Sequence, residues 1–393
     1  MKNIDVIVVG QNYSTSLGLI QAAGEAGFSC GIIKSIVNVP KRSTPELLSD
    51  YVVKTALCNR QEERAFLDSL CKNFRKVDGK IVLLPADDYT VALVDKYRET
   101  LSRYYYLPSI NGGAGSLSQN MDKFQQGKIA SDAGLKTALS WVISAGSTII
   151  PEDMEYPCIT KPQMSVGSPK SFIKKCINQE ELYSALLEIK TTKPCPVLIE
   201  EFIDVRREFT IPGISYNGTT LIPAFIRKQI IGKGIHRGVT ISGEVLDSSH
   251  FPGDLLEKLV SFVRRMGYEG IFDIELFLTD NGFYFNEMNL RYGAAGYALT
   301  RAGVNLPAIY IRSCLGMYNK VLDKLPKDGL SFVSDKAVLD YLSSRQINYR
   351  TYRQIIRGAD FRFLVSNKDK GAKKSFQKIE RKVLISNIIK GNI

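Results

Sequence analysis

Residues 270–293, GIFDIELFLTDNGFYFNEMNLRYG, constrain the fold more tightly than any other stretch of the chain. Phe272–Leu278 and Phe283–Met288 are rich in β-branched and aromatic residues. Between them, Asp280-Asn281-Gly282 tolerates the positive φ angles of a tight hairpin turn. Strand side chains alternate between faces, so Asp273, Glu275 and Phe277 share one face. On the return strand Phe285, Glu287 and Asn289 share one face. If the two faces coincide, Glu275, Glu287 and Asn289 converge as three oxygen donors suited to a hard cation, Mg2+ with Mn2+ as its substitute. Arg291 follows two residues later, within reach of a phosphate or carboxylate. The plain alternative is a half-exposed hairpin whose polar face meets water.

A chain of 393 residues has room for two or three domains. Its seven cysteines are scattered and contain no CxxC pair, and there are only two histidines, His236 and His250. That usage argues against a structural zinc site and for reduced thiols in a cytoplasmic protein. The start, MKNIDVIVVG, is too quickly acidic for a signal peptide, and no apolar run approaches the ~20 residues of a membrane span. The formal net charge is +12, and most of the excess falls after Asn319. The basic tail carries no recognised nucleic-acid motif, so nucleic acid is not the expected partner; a solvated basic face or an acidic partner is.

Ile4–Val9 is a continuous apolar strand, followed by a polar turn over Gly10–Ser16, a helix over Leu17–Ala26 closed by Gly27, and a second strand at Phe28–Ile33. This opening predicts a parallel sheet covered by helices. The turn is not GxGxxG; it either cups an anion at the helix N-terminus or simply joins a strand to a helix. Glu62–Phe74 reads as a helix and Lys80–Leu84 as another buried strand, ending in Pro85-Ala86-Asp87-Asp88. Polar residues at such a strand end either contact a ligand or cap the next helix, Tyr89–Leu101. Tyr104–Leu107 is expected at a sheet edge, and Ile110–Ser118 as a linker.

Met121–Ala133 reads as a helix with Lys123 in its first turn, a poor place for a cation unless an anion is near. Strands follow at Trp141–Ile143 and Tyr156–Lys161. Gln163–Ser171 is a small-residue loop before the strand Phe172–Lys175, suited to wrapping phosphates or to a plain turn. After a helix at Gln179–Ile189, strands are expected at Val197–Ile203, Glu208–Ile211 and Leu221–Ile226. Arg227 and Lys228 close the last of these, before a glycine-bearing loop at Ile230–Arg237. Asp254–Met266 is an amphipathic helix leading into the hairpin.

Taken as an ordered series over residues 4–318, these segments resemble the ATP-grasp superfamily. The resemblance implies an α/β plus α+β architecture: an N-terminal Rossmann-like parallel-sheet domain (1–115), a small lid (116–205) and a large antiparallel subdomain (206–320). A basic extension follows (321–393). It implies ATP as ligand. Lys123, in MDKFQQGKIASDAGLKTA, and Lys161, in TKPQMSVGS, match the phosphate-binding lysines. Ser165, Gly167 and Ser168 match the mobile phosphate loop. Glu200, Glu201, Phe202 and Ile203 match the segment that receives adenine, and Glu208 the ribose contact. Glu275, Glu287 and Asn289 match the Mg2+ ligands, and EMNLR matches the family's ExNxR pattern, read as Glu287, Asn289 and Arg291.

Members with this layout activate a carboxylate as an acyl phosphate and join it to an amine. The resemblance therefore implies small-molecule carboxylate and amine substrates, or a carrier-linked or polymer substrate, and a homodimer is common among such enzymes. Arg291, Arg227 and Lys228 are the expected catalytic cations, with His236 and Arg237 as further candidates. Within the superfamily the NMNLRYG ending and Pro85–Asp88 are similar to D-aspartate ligases and amino-acid ligases of cell-wall and surface-polysaccharide synthesis. One departure stands out: Gly270-Ile271-Phe272 fills a place where several peptide-forming relatives carry an arginine. No cysteine and lysine constellation for carboxylating biotin is evident. An ATP-binding regulatory module and a ligase for a protein-bound or RNA-bound target are the alternatives. After Met317 the resemblance fades. Lys336–Ser343 and Tyr349–Ile356 read as short elements, and Lys368–Ile389 as a basic amphipathic helix that packs on the body, lies on an anionic membrane or meets a partner.

Overall fold

The computed structural model describes residues 3–11, 13–35, 44–59, 61–111, 113–166, 170–232, 238–317, 324–362 and 366–389. Val6–Gly10 (β1) reads VIVVG and is buried along its whole length, as a strand covered on both faces must be. It lies at the centre of a parallel sheet of order β3-β2-β1-β4-β5. The other strands are Cys30–Ser35 (β2), Val52–Cys58 (β3), Ile81–Pro85 (β4) and Tyr105–Tyr106 (β5). Tyr13–Glu25 (α1) packs with Val6 and Val8 on one face. Glu63–Asn73 (α2) and Asp88–Lys96 (α3) pack with Ile7 and Val9 on the other. Helix α1 starts four residues earlier than the sequence suggests, because Thr15 and Ser16 are buried in its first turn instead of forming a solvated loop. Strand β3 went unanticipated; it is an edge strand with half-exposed side chains and has no strong apolar signal.

The strand order reverses between β1 and β4, which opens a crevice at their carboxyl ends. The expected linker at Ile110–Ser118 is tied down at both ends. Ser109–Ile110 pairs with Tyr268–Glu269, and the Ser118 N–H and hydroxyl donate to Asp95 at 3.0 and 3.2 Å. Lys123–Asp132 (α4) then leads to a four-stranded antiparallel sheet. Its strands are Ser140–Ile143 (β6), Cys158–Pro162 (β7), Lys174–Cys176 (β8) and Val197–Glu201 (β9), in the order β8-β7-β9-β6. Gln179–Thr192 (α5) covers it through Leu182, Ala185, Leu186 and Ile189.

The largest sheet carries Arg207–Tyr216 (β10), Ala224–Ile231 (β11), Thr240–Asp247 (β12), Tyr268–Thr279 (β13) and Gly282–Asn289 (β14). They run antiparallel in the order β12-β11-β10-β13-β14. One face, with Ile214, Ala224, Ile226 and Val245, packs against α1 and the parallel sheet. The opposite face, with Phe209, Ile211, Phe225 and Leu276, packs against Leu255–Met266 (α6). Helix α6 presents Leu255, Leu259, Phe262, Val263 and Met266 at helical spacing and ends at Gly267 with φ of 61°.

Residues beyond 320 are built into this body. Leu330–Val333 (β15) extends the large sheet beside β12, and Phe361–Arg362 (β16) extends it further. Asp335–Ser343 (α7), Tyr349–Arg357 (α8) and Lys370–Ile389 (α9) complete the chain. The start of α9 is moored to the N-terminal domain. Buried Asp369 accepts from the Ala372 N–H (3.1 Å), the Asp50 N–H (3.0 Å) and the Ser49 hydroxyl (2.6 Å). In return Asp50 accepts from the Lys370 and Gly371 N–H groups. Gly371 is required by this approach, since a Cβ there would stand 2.0 Å from the Leu48 carbonyl oxygen. Asp369→Ala leaves several buried donors unpaired and should lower unfolding free energy by about 3 kcal/mol in urea titration. A loss below about 1 kcal/mol would show that the mooring contributes little.

Candidate functional site

Strands β13 and β14 pair so that Glu275 stands directly opposite Glu287 and Asp273 opposite Asn289. Like charges directly opposite each other destabilise a sheet, so this pair needs compensating cations. Two lysines supply them. Lys123 Nζ lies 3.1 Å from Glu287 Oε2, and Lys228 Nζ lies 3.5 Å from Glu275 Oε2. Burial by itself raises the Glu287 pKa, but Lys123, Lys161 and Arg291 outweigh it and hold the carboxyl below its ordinary value. Burial likewise disfavours the Lys123 and Lys228 ammonium groups. The facing carboxylates, Glu287 for the first and Glu275 with Glu208 for the second, hold both pKa values above the ordinary lysine value.

The hairpin departs from simple alternation at one place. The register shifts after Glu275, so that Leu276 pairs with Phe285 and Asn286 is the extra residue of a β-bulge. Phe285 therefore turns into the core against Phe262 and does not share the face of Glu287. Asn286 joins the site instead, its Oδ1 accepting from Lys161 Nζ at 2.8 Å. No sequence signal marks this bulge. Asp273 shares the face of Glu275 but is withdrawn from solvent, hydrogen-bonded to the Thr210 hydroxyl, and burial pushes its pKa up to about 6. It packs so close to Gly293 that a Cβ there would lie 2.0 Å from Asp273 Oδ2.

Lys123 is aimed by the elements around it. It is the first residue of α4, whose N-cap Asp122 accepts from the Phe124 and Gln125 N–H groups. The Lys123 N–H donates to the Gln163 carbonyl at 3.1 Å, and the Gln163 amide donates to Asp122 at 2.6 Å. Buried Gln126 exchanges two hydrogen bonds with the Met288 backbone, at 3.0 and 2.9 Å, which seats α4 over β14. Lys161, on the lid strand β7, bonds Glu200 Oε2 at 2.5 Å. Ser165 lies in the loop beyond it, next to Met164, which bridges to Asp122. Gly167, Ser168, His236 and Arg237 lie outside the described residues.

The four residues of the 200–203 segment differ in what they do. Glu200 faces Lys161. Glu201 is spent on the lid, its Oε1 accepting from the Leu139 N–H at 3.0 Å and its own N–H donating to the Leu139 carbonyl at 2.9 Å. The Phe202 N–H donates to the Pro157 carbonyl at 2.9 Å, and the Lys175 ammonium sits 3.7 Å from the Phe202 ring centroid. Ile203 follows at the strand end, outside β9. On the large sheet Glu208 accepts from Lys228 Nζ at 3.1 Å. Arg227, one residue before Lys228, is on the opposite face with its cross-strand partner Glu244, to which it is ion-paired. Alternation places Arg227 on the α6 side of the sheet, away from Glu275, Glu287 and Lys228.

Arg291 ties the large sheet to the parallel sheet. Its Nε and Nη2 donate to the two oxygens of Asp88 at 2.8 and 3.3 Å, and Nη2 also donates to Asn289 Oδ1 at 3.1 Å. Burial disfavours the guanidinium, but Asp88 holds its pKa above the ordinary arginine value. The alternatives at the end of β4 are thereby separated. Asp87 is the N-cap of α3, accepting from the Thr90 N–H at 2.9 Å and from the Gln11 N–H at 2.6 Å. Asp88 is the residue that reaches the site.

Residues 128–304 match the family model of the ATP-grasp domain. The chain carries an ATP-grasp domain. It is 26% identical over 178 residues to the formate-dependent phosphoribosylglycinamide formyltransferase of Sulfolobus acidocaldarius, covering 42% of this chain and 43% of that protein. The chain thus spans less than half the length of this curated relative. In fold it is similar to the L-amino acid ligase from Bacillus licheniformis, with a TM-score of 0.62 and 15% identity over 84% of this chain and 80% of that one. It is also similar to the N5-carboxyaminoimidazole synthetase from Staphylococcus aureus complexed with ADP, with a TM-score of 0.60 and 15% identity over the same shares. The matched stretch contains the four-stranded sheet and strands β10 to β14 of the large sheet.

Lys123 and Lys161 each hold a largely buried carboxylate across this cleft. Replacing either with Met should weaken Mg-ADP binding by ~10–100-fold in calorimetry, the loss of one charge-assisted contact. Unchanged affinity in both variants would show that nucleotide phosphates bind elsewhere.

Proposed function

We propose that the chain is an ATP-dependent ligase that activates a small carboxylate as an acyl phosphate and joins it to an amine, releasing ADP and phosphate. The observation that carries this reading is the meeting of Glu275, Glu287 and Asn289 on one sheet face with lysines from two other elements. Hard oxygen donors on one side and ammonium groups on the other suit a metal-bound triphosphate.

In the structure these groups neutralise one another in four sets: Lys123 with Glu287, Lys161 with Glu200 and Asn286, Lys228 with Glu208 and Glu275, and Arg291 with Asp88 and Asn289. On binding, Lys123 and Lys161 turn from carboxylates to phosphate oxygens. Glu287, relieved of Lys123, would hold Mg2+, or Mn2+ in its place, together with Glu275 and Asn289. The metal supplies charge neutralisation of the phosphates when bound. Glu208 takes the ribose hydroxyls. Phe202 and Ile203 would line the adenine, the Ile203 N–H reading the ring edge. Glu200 bonds the exocyclic amine after releasing Lys161.

Arg291 and Lys228 neutralise the oxygens of the attacking carboxylate and the acyl phosphate, so that the enzyme mainly positions reactants and stabilises developing charge. Arg227 has no part in this chemistry. An amino-acid or sugar-acid substrate is the finer reading, supported by Asp88 beside Arg291 at the crevice; the curated relative, a phosphoribosylglycinamide formyltransferase, lends no support to the expected cell-wall or surface-polysaccharide setting. The L-amino acid ligase likeness favours the amino-acid class.

The test is ADP and phosphate release from Mg-ATP against carboxylates paired with amino acids and amino sugars. Turnover that requires one specific pair is expected; nucleotide binding with no turnover on any pair, carrier-linked acceptors included, would favour a regulatory module. Glu287→Gln should abolish metal-dependent turnover while leaving the thermal melt in place, and full activity in that variant would refute the metal assignment. Asp88→Asn should lower kcat by ~10-fold with little change in the KM for ATP, because it loosens only the Arg291 fork. An unchanged kcat would remove Asp88 from the site.

A further inference from the structure

The C-terminal helix α9 sorts its residues by charge. Ala372, Ser375, Phe376 and Asn387 are buried, and Val383 and Leu384 pack on the cluster formed by α7 and α8. Its one acidic residue, Glu380, is also turned inward, where it accepts from the Tyr352 hydroxyl at 2.5 Å and from Arg362 at 2.9 Å. Asp335 and Asp369, on either side of α8, are fully buried. The opposite stripe, at positions 374, 378, 381, 382, 385 and 388, follows helical spacing and is exposed throughout. It consists of Lys374, Lys378, Arg381 and Lys382, then Ile385 and Ile388, which are 56% and 57% exposed. None of these four cations has a carboxylate partner among the described residues. On the neighbouring α8, Arg350, Arg353 and Arg357 also share one exposed face, and that helix has no acidic residue. Along α9 itself the acid is turned inside and these cations are left outside.

We propose that the exposed stripe of α9 docks the protein onto an anionic phospholipid surface. Lys374, Lys378, Arg381 and Lys382 meet the headgroup phosphates, and Ile385 and Ile388 enter the boundary with the acyl chains. The isoleucines decide between the classes of anionic partner. A single-stranded nucleic acid is held by cations interleaved with stacking aromatics, and the stripe presents no aromatic ring. Solvent-exposed isoleucines in line with cations gain from an apolar layer behind the charged one, which a nucleic acid's phosphate surface does not offer. The helix lies along the surface and does not cross it, since no described helix is long and apolar enough to span a membrane. Surface binding is independent of the nucleotide cleft and stands or falls apart from the ligase reading.

The test is co-sedimentation of the full chain with phosphatidylcholine vesicles and with vesicles containing phosphatidylglycerol, at low and high salt. The expected result is binding to the anionic vesicles alone, released by salt because the surface potential decays within a Debye length. The triple variant K378E/R381E/K382E should bind ~10-fold or more weakly, and Ile385→Ser with Ile388→Ser should weaken binding at low salt as well. All five positions face solvent, so a thermal melt matching that of the parent verifies folding. Absence of vesicle binding, or binding untouched by the triple variant, overturns the proposal. So does preferential binding to RNA or DNA lost in the same variant. An isoleucine variant that turns a solution dimer into a monomer would assign the stripe to self-association and would also overturn it.

Discussion

Two glutamates set directly opposite each other on neighbouring strands are the constraint around which the cleft is arranged. Glu275 and Glu287 repel each other in the sheet, and the repulsion is offset by cations delivered from elements far apart in the chain. Lys123 arrives on α4, which is held by the Gln126 amide against the Met288 backbone. Lys228 arrives on a strand of the same sheet, with Glu208 beside it. A site of this kind is costly to assemble unless its charges have partners, and Lys123, Lys161, Lys228 and Arg291 each hold a carboxylate. In the function proposed above, the same arrangement would let partners be exchanged: phosphates for carboxylates at the lysines, a divalent cation for ammonium groups at the glutamates.

The domains are joined by the same logic. Arg291, two residues beyond the hairpin, is held by Asp88 at the end of a parallel strand about two hundred positions earlier. The crevice at the reversal of strand order is thereby placed against the large sheet. The chain then returns: β15 and β16 lengthen the large sheet, and Asp369 moors α9 on the N-terminal domain. The basic extension is a structural part of the body whose outer face alone is left for a partner.

Much of this was legible in the sequence because it depends on local pattern. Apolar strands bounded by glycine, the Asp280-Asn281-Gly282 turn and the amphipathic spacing of α6 each determine their own backbone. Period-two alternation put Glu275, Glu287 and Asn289 on shared faces, and the ordered series of lysines, loop and acidic strands carried the family resemblance. The missed elements had weaker local signals. Strand β3 is a half-exposed edge, and β12 and β15 depend on pairing with partners distant in sequence.

The sequence by itself determined the types of chemistry present: oxygen donors for a hard cation, cations for phosphates, and a charge-sorted helix at the end. Tertiary structure decided which of these groups meet. A single extra residue at Asn286 turned Phe285 into the core and brought an amide to Lys161, because a bulge changes facing without changing composition. Alternation across β11 sent Arg227 to one face and Lys228 to the other, and only the sheet's packing on α6 says which face lines the cleft. Asp87 and Asp88, adjacent and chemically identical, were separated into cap and arginine partner by the approach of Arg291 from another domain. Local propensity carries no information about such encounters, since their energy comes from groups that meet only when the chain has folded.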